Sequence, residues 1–366
     1  MELRGRIVSP EGVISGTVAF GRRVNELRAG DGADRWIVPG LVDLHLHGGG
    51  GGDVMAGVDG LRAAARFHAS RGTTALLATT LTASFEALER ALVAVREVID
   101  KPGKDEARIL GAHLEGPWLH PDRLGAQPPH ARLPERWEVE RLLEIAPVRV
   151  VTIAPEIDGA SELIADLSGR GIRVQLGHTL ADAACASRAL ARGASGFTHL
   201  FNAMSGTDHR HPGVAAAALA EGEWAEVIVD GEHVDLTLIR AARRAIPGVY
   251  AVSDAIPATG LGDGEFELGG QPVEVRDGVA RTPEGTLAGS VGTLGAALRR
   301  LVASGDTLAE AVRRTATLPA EYLGYEDLGR IAVGAWADFV VLDAELQVEE
   351  VWCGGERIAG RAEGED

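Results

Sequence analysis

Cysteine is nearly missing from this 366-residue chain, which has two, Cys185 and Cys353. So few, so far apart, exclude a disulfide framework and a cysteine-based zinc site, and they fit a reducing compartment. No stretch reaches the roughly 18 uninterrupted apolar residues of a membrane span. Met1–Pro10 has no basic segment followed by an apolar one, so no signal peptide is expected. Positive charge is also short. Lys and Arg number 36 against 53 Asp and Glu, a net charge of -17. Nucleic acid and anionic membranes reward clustered Lys and Arg, so neither is an expected partner. The expectation is a soluble cytoplasmic protein, and any anionic substrate needs a local cationic group to hold it against the overall field.

What is present is apolar sequence in a regular rhythm. The chain is 45% hydrophobic, enough for one large domain, or one large and one small. Apolar runs bounded by turn residues read as buried strands at Trp36–His45, Thr74–Thr80, Arg108–Glu115, Val148–Ala154, Ile172–His178, Ser195–His199, Glu226–Asp230 and Val249–Asp254. Helical stretches alternate with them at Asp59–Arg71, Phe85–Ile99, Pro134–Ile145, Ala160–Arg170, Ala181–Arg192 and Leu236–Ala245. The rhythm breaks at Gly260–Thr286, where Gly269-Gly270 and Asp277-Gly278 suggest hairpins, and resumes with helices at Val291–Ala303 and Leu308–Thr315. Eight strands alternating with helices predict an α/β fold, a TIM-type (β/α)8 barrel. An open doubly wound sheet is the alternative, but no Gly-x-Gly-x-x-Gly turn follows the first strand. Short strands before residue 40 and after Ala337 predict a small β-sandwich domain made of residues 1–40 and 335–366, with the barrel spanning 41–334.

The polar residues fall at the strand ends. Asp43-Leu44-His45-Leu46-His47 runs into the five glycines Gly48 to Gly52. In extended chain, residues i and i+2 share a side, so His45 and His47 point at one place. Imidazole is the commonest protein ligand for zinc-like metals. The glycines allow a sharp turn and suggest room above the strand for a ligand. Later strand ends carry His113-Leu114-Glu115, Gly177-His178, Thr198-His199, Asp230-Gly231-Glu232-His233 and Ser253-Asp254. Barrel enzymes keep their chemistry at the C-terminal ends of strands. His178, His199 and Glu115 would supply two nitrogens and one oxygen and leave a position open for water. Glu115 can also bridge to a second ion held by His45 and His47. Asp254 then stands as general base and acid. His113 is a ligand or, preferably, a supporting partner. His68 lies in a helical stretch and reads as structural.

These strings resemble the amidohydrolase superfamily and, within it, the deacetylases of N-acetylated hexosamine 6-phosphates. The resemblance rests on Pro39-Gly40-Leu41-Val42-Asp43, His113-Leu114-Glu115-Gly116-Pro117, Gly177-His178, Thr198-His199-Leu200-Phe201-Asn202-Ala203-Met204, Arg210-His211-Pro212-Gly213, Asp230-Gly231-Glu232-His233-Val234, Ser253-Asp254-Ala255, Leu287-Ala288-Gly289-Ser290 and Ala337-Asp338-Phe339-Val340-Val341-Leu342. It implies hydrolysis of N-acetyl-D-glucosamine 6-phosphate to acetate and D-glucosamine 6-phosphate. N-acetylgalactosamine 6-phosphate or another amide is the alternative substrate, and a non-catalytic barrel the alternative class. It implies metal on Glu115, His178 and His199, acid–base work by Asp254, and substrate contacts from Ala126, Asn202, Ala203, His233, Ala288, Gly289 and Ser290. Arg210 would reach the phosphate of a neighbouring subunit, which implies a homodimer. The metal is a divalent ion, zinc by preference over iron, cobalt or manganese, with two ions favoured over one. Three places depart from the resembled pattern: Gly125-Ala126-Gln127 where relatives carry Gly-Ala-His, Thr179-Leu180 after His178, and Ile256-Pro257 after the Asp254 motif.

Overall fold

The structure, a computed structural model, describes residues 1–360. Eight parallel strands form the centre: β1 (Leu41–Asp43), β2 (Thr73–Thr80), β3 (Arg108–Glu115), β4 (Val148–Ile153), β5 (Arg173–Leu176), β6 (Gly196–Phe197), β7 (Trp224–Ile228) and β8 (Gly248–Val252). The first six form one continuous sheet in chain order, and β7 pairs with β8. The two pieces join where Leu200 N–H donates to Glu226 O at 2.9 Å. The circle closes where Asp254 N–H donates to His45 O at 2.9 Å. Each strand is followed by a helix: α1 (Val58–Ser70), α2 (Phe85–Asp100), α3 (Arg136–Ile145), α4 (Ala160–Gly169), α5 (Ala183–Ala191), α6 (Val214–Glu221), α7 (Leu236–Ala245) and α8 (Leu294–Ala303). This is the expected TIM-type barrel.

Local chemistry sets several of these boundaries. Ser84, Asp182, Asp235 and Thr293 each accept from a backbone N–H in the first turn of α2, α5, α7 and α8, satisfying donors the helix leaves open. The predicted strand Trp36–His45 divides at Gly40. Trp36–Pro39 joins a terminal sheet and Leu41–Asp43 enters the barrel. A Cβ on Gly40 would lie 2.0 Å from Thr74 Oγ1, so only glycine permits this crossing. Helix α6 has no counterpart among the predicted helices. Its sequence, Val-Ala-Ala-Ala-Ala-Leu-Ala-Glu, is apolar up to Glu221, and its first N–H, of Val214, is taken by Ser205 Oγ at 2.8 Å rather than by the N-cap residue Gly213.

The barrel interior is filled by Val42, Leu44, Leu77, Val150, Ile228, Tyr250 and Val252, and Leu318 and Tyr322 plug its N-terminal end. Chemistry is therefore confined to the other end. A three-stranded antiparallel sheet (Gly264–Leu268, Gln271–Arg276, Val279–Arg281) interrupts the chain between β8 and α8. Its Leu268, Val273 and Val275 pack on Leu81, Ile256 and Ala288 beside the barrel mouth. The first four strands of the chain and the last three unite in one seven-stranded sheet, with Phe339–Leu342 antiparallel to Trp36–Pro39. Of the small unit expected at 1–40 and 335–366, residues 361–366 lie outside the described residues.

Candidate metal centre

Five side chains from five strand ends meet at the C-terminal mouth. Glu115 is the last residue of β3. His45, His178, His199 and Asp254 each sit two residues beyond the end of β1, β5, β6 and β8. At three of them the backbone turns abruptly: φ is 50° at His178, 28° at His199 and 48° at Asp254. Left-handed backbone is costly for residues with a Cβ and persists where the surroundings impose it, often at functional sites.

Among the described residues three groups of ligand atoms result; one is His45, His113 and Glu226, deeper in the barrel, and the other two both contain Glu115. In the first of these two, Glu115 Oε1 lies 3.0 Å from His178 Nε2 and 3.0 Å from His199 Nε2, and those nitrogens are 3.0 Å apart. In the second, His47 Nε2 lies 3.2 Å from Glu115 Oε2 and 3.3 Å from His45 Nε2. Asp254 Oδ1 is 3.3 Å from His47 Nε2 and 3.5 Å from His45 Nε2. The Asp254 carboxylate thus touches the second group. All six residues are buried.

The surrounding hydrogen bonds orient the rings. His178 Nδ1–H donates to Arg123 O at 2.7 Å, His47 Nδ1–H to Thr79 O at 3.2 Å and His45 Nδ1–H to Glu226 Oε1 at 2.6 Å. Each bond occupies Nδ1 and leaves Nε2 facing the cluster, which is how metal-binding histidines are commonly held. Converging lone pairs about 3 Å apart repel unless a cation lies among them, and that spacing suits ligand atoms each about 2.0–2.2 Å from one ion. The residues present fit a divalent metal.

The electrostatics agree. Burial alone would push the His47 imidazole down, but hydrogen bonds to Asp254 and Glu115, with their charges, raise it to about 9. His45 is likewise raised well above its ordinary value: burial opposes this, and Glu115, Glu226 and Asp254 outweigh it. The site attracts positive charge strongly enough to hold protons where cations would bind. Asp254 moves the other way. Burial would raise its carboxyl, but His45 and His47 hold it below the usual range.

Around the cluster is a cavity of about 560 Å3. Its wall includes His47, Glu115, His178, His199 and Asp254, together with Ala126, Asn202, Ala203, His233 and Gly289 from the expected substrate set. His233 Nδ1 is held by Asp230 Oδ2 at 2.6 Å, so Nε2 is the ring atom left for a ligand. Ala288 and Ser290 flank Gly289 but are themselves buried, and Ser290 N–H donates to Asp254 O at 2.8 Å. Arg210 is exposed and does not line this cavity. His113 is below the cluster, donating from Nδ1 to Leu44 O at 3.1 Å and within 2.8 Å of Thr152 Oγ1 through Nε2. His68 bonds to Gly48 O at 2.9 Å inside the core.

The glycine run differs from the expectation of open space. It does make a tight turn, with φ 58° at Gly50 and 83° at Gly51. Yet a Cβ at Gly49 would lie 2.6 Å from His68 Nε2, and at Gly48 2.3 Å from Gly52 O. These glycines permit close backbone packing rather than a clearing for substrate.

Sequence reading missed Glu226. It accepts from His45 Nδ1 and, at 3.0 Å, from His199 N–H, and so supports both ligand groups from beneath. The available signal was a carboxylate within the apolar strand Trp-Ala-Glu-Val-Ile. It also missed Gln127, whose amide donates to Glu115 Oε2.

The sequence pattern of the amidohydrolase family matches residues 36–360. The chain is 36% identical to N-acetylgalactosamine-6-phosphate deacetylase of Escherichia coli O157:H7, over 87% of each chain. It is also 36% identical to human N-acetylglucosamine-6-phosphate deacetylase, over 97% of this chain and 90% of that one. Among solved structures it is similar to a variant of N-acetyl-D-glucosamine-6-phosphate deacetylase from Mycobacterium smegmatis in complex with N-acetyl-D-glucosamine 6-phosphate. That structure superposes with a TM-score of 0.91 and 37% identity, covering 98% of this chain and 99% of the other. The ligand geometry at the barrel mouth and these likenesses agree, and the chain belongs to the amidohydrolase family.

Proposed function

We propose that the protein hydrolyses the acetamide of N-acetyl-D-glucosamine 6-phosphate, releasing acetate and D-glucosamine 6-phosphate. The observation that carries this reading is Glu115 lying between two histidine pairs, with Asp254 beside them, on the wall of a cavity of about 560 Å3. Relatives 36% identical over most of their length are named for this reaction. His178, His199 and Glu115 would hold one divalent ion, and His45, His47 and Glu115 a second, zinc being the ion such ligands suit. A bound ion supplies Lewis acidity and lowers the pKa of a water it holds to about 7.

The rest is the work of the chain. Asp254, kept ionised by its histidine neighbours, takes a proton from the attacking water and returns it to the departing amine. His233 is raised above its ordinary value: burial works against this, and the Asp230 carboxylate prevails. Its ring can therefore donate from Nε2 to the acetamide carbonyl and stabilise charge growing there. Asn202 and Ala203 lie along the sugar phosphate. Arg210, exposed in this chain, serves the phosphate of a neighbouring subunit in a homodimer, since guanidinium matches phosphate geometry. We place the domain boundary at residues 40–41 and 334–335, in keeping with the sheet that unites both ends of the chain.

The second reading is N-acetylgalactosamine 6-phosphate, favoured by the likeness to the deacetylase of that name. Acetate release from both sugar phosphates and from the unphosphorylated sugars separates these readings. Fastest turnover of N-acetyl-D-glucosamine 6-phosphate is expected. Equal turnover of the free sugar would overturn the phosphate assignment.

A further inference from the structure

Asp122 to Gln127 form part of the cavity wall, and the segment from His120 to Gln127 also holds two of the ligand residues. His120 N–H donates to His178 O at 3.0 Å, and Arg123 O accepts from His178 Nδ1 at 2.7 Å. Gln127 completes the arrangement. Its side-chain oxygen accepts from Thr82 N–H at 2.6 Å, which fixes the amide plane, and its amide nitrogen donates to Glu115 Oε2. Thr82 Oγ1 is itself anchored on Glu115 O at 3.3 Å. Both ends of the Gln127 amide are therefore used, and one is used on the carboxylate shared by the two ligand groups.

The choice of oxygen matters. Oε1 faces His178 and His199 and lies 3.5 Å from His45 Nε2, while Oε2 faces His47 at 3.2 Å. A carboxylate with one free oxygen can rotate about its Cγ–Cδ bond and turn both oxygens toward one ion. A donor pinned to Oε2 resists that rotation and keeps Oε2 toward His47 while Oε1 faces His178 and His199. Partners of this kind commonly tune metal affinity by 10–100-fold.

We propose that Gln127 is a positioning residue that holds Glu115 as a bridge between two ions, tying the Asp122–Gln127 wall of the substrate cavity to the metal centre. This rests on the two-ion reading given above. The role is local to a residue at which this chain departs from the pattern it resembles. Any side chain with a donor in the same place satisfies it, and an apolar one of equal length does not.

Cobalt(II) titration of the metal-depleted full-length protein, followed by the visible absorption of the bound ion, tests it. The probe is cobalt alone, and the wild type is expected to take up two ions. Gln127→Met and Gln127→Ala are expected to need about tenfold more free cobalt for the second ion, with an altered absorption band, while the first ion binds nearly as before. Gln127→His, which keeps an N–H donor, is expected to recover most of the loss. Wild-type binding by both the Met and Ala variants would overturn the proposal. So would failure of Gln127→His to recover any of the loss, which points to packing alone. If the wild type itself saturates with one ion, the two-ion reading fails and the proposal with it, a result visible in the wild-type curve before any variant is compared.

Discussion

At the scale of the residue, the site divides its work between groups that attract a cation and one that handles a proton. Asp254 Oδ1 is within 3.5 Å of both His45 and His47 Nε2. Asp254→Asn keeps the shape and removes the base. It is expected to lower kcat by about 10²–10⁴-fold with the metal content unchanged, as elemental analysis beside acetate release would report. Near-normal turnover would remove the acid–base role. The double variant His45→Gln/His47→Asn is expected to fall from two ions per chain to one. An unchanged metal content would show that the second group holds no ion. Most of this site was legible, because each ligand type follows an apolar run and strand ends converge in a barrel. Glu226 and Gln127 were not legible. They act through other side chains, and the residues they support lie 181 and 12 positions away in the chain.

At the scale of the element, boundaries followed capping and pattern. Strand β3 and helix α7 occupy the residues that apolar periodicity and flanking signals suggest, Arg108–Glu115 and Leu236–Ala245. Strand β7 is Trp224–Ile228, two residues earlier than the apolar run implied, because Val229 stays buried after the ladder ends. Helix α6 escaped notice because alanine fits any buried surface and leaves no period. Helix α1 makes a further expectation testable. Its His68 is buried against Gly48 O, and burial lowers its pKa to about 4 from an ordinary value of about 6.5. Between those values the unfolded chain carries a proton that the folded chain does not, so folding stability rises with pH across this window. One such group contributes a slope of about 1.4 kcal/mol per pH unit. His68→Gln is expected to flatten the stability profile between pH 4 and 6.5 by about that slope, measured by urea unfolding of metal-free protein. Parallel profiles for the variant and the wild type would reject this assignment.

At the scale of the whole molecule, barrel and terminal sheet are joined by a charged contact. Arg108, at the start of β3, meets Asp338 through two bonds of 2.7 and 3.3 Å, and its guanidinium stacks on Trp336 at 4.5 Å. Asp338 is buried and also accepts from Gly354 N–H at 2.6 Å. Asp338→Ala strands the partly buried guanidinium and that N–H. A loss of about 2–4 kcal/mol in urea denaturation is expected, and less than about 1 kcal/mol would mean the contact is incidental. The terminal sheet also has a consequence in time. Ile7, Phe20 and Ile37 share a buried cluster with Phe339 and Val341, and Trp36–Pro39 pairs along one edge with Phe339–Leu342. During synthesis the early strands leave the ribosome about three hundred residues before that partner. At 5–20 residues per second they wait roughly 15–60 s with an apolar face and an open edge exposed. The N-terminal strands of a newborn chain are thus expected to be its most aggregation-prone part until residues 339–342 emerge, although in the finished fold the same strands are all paired.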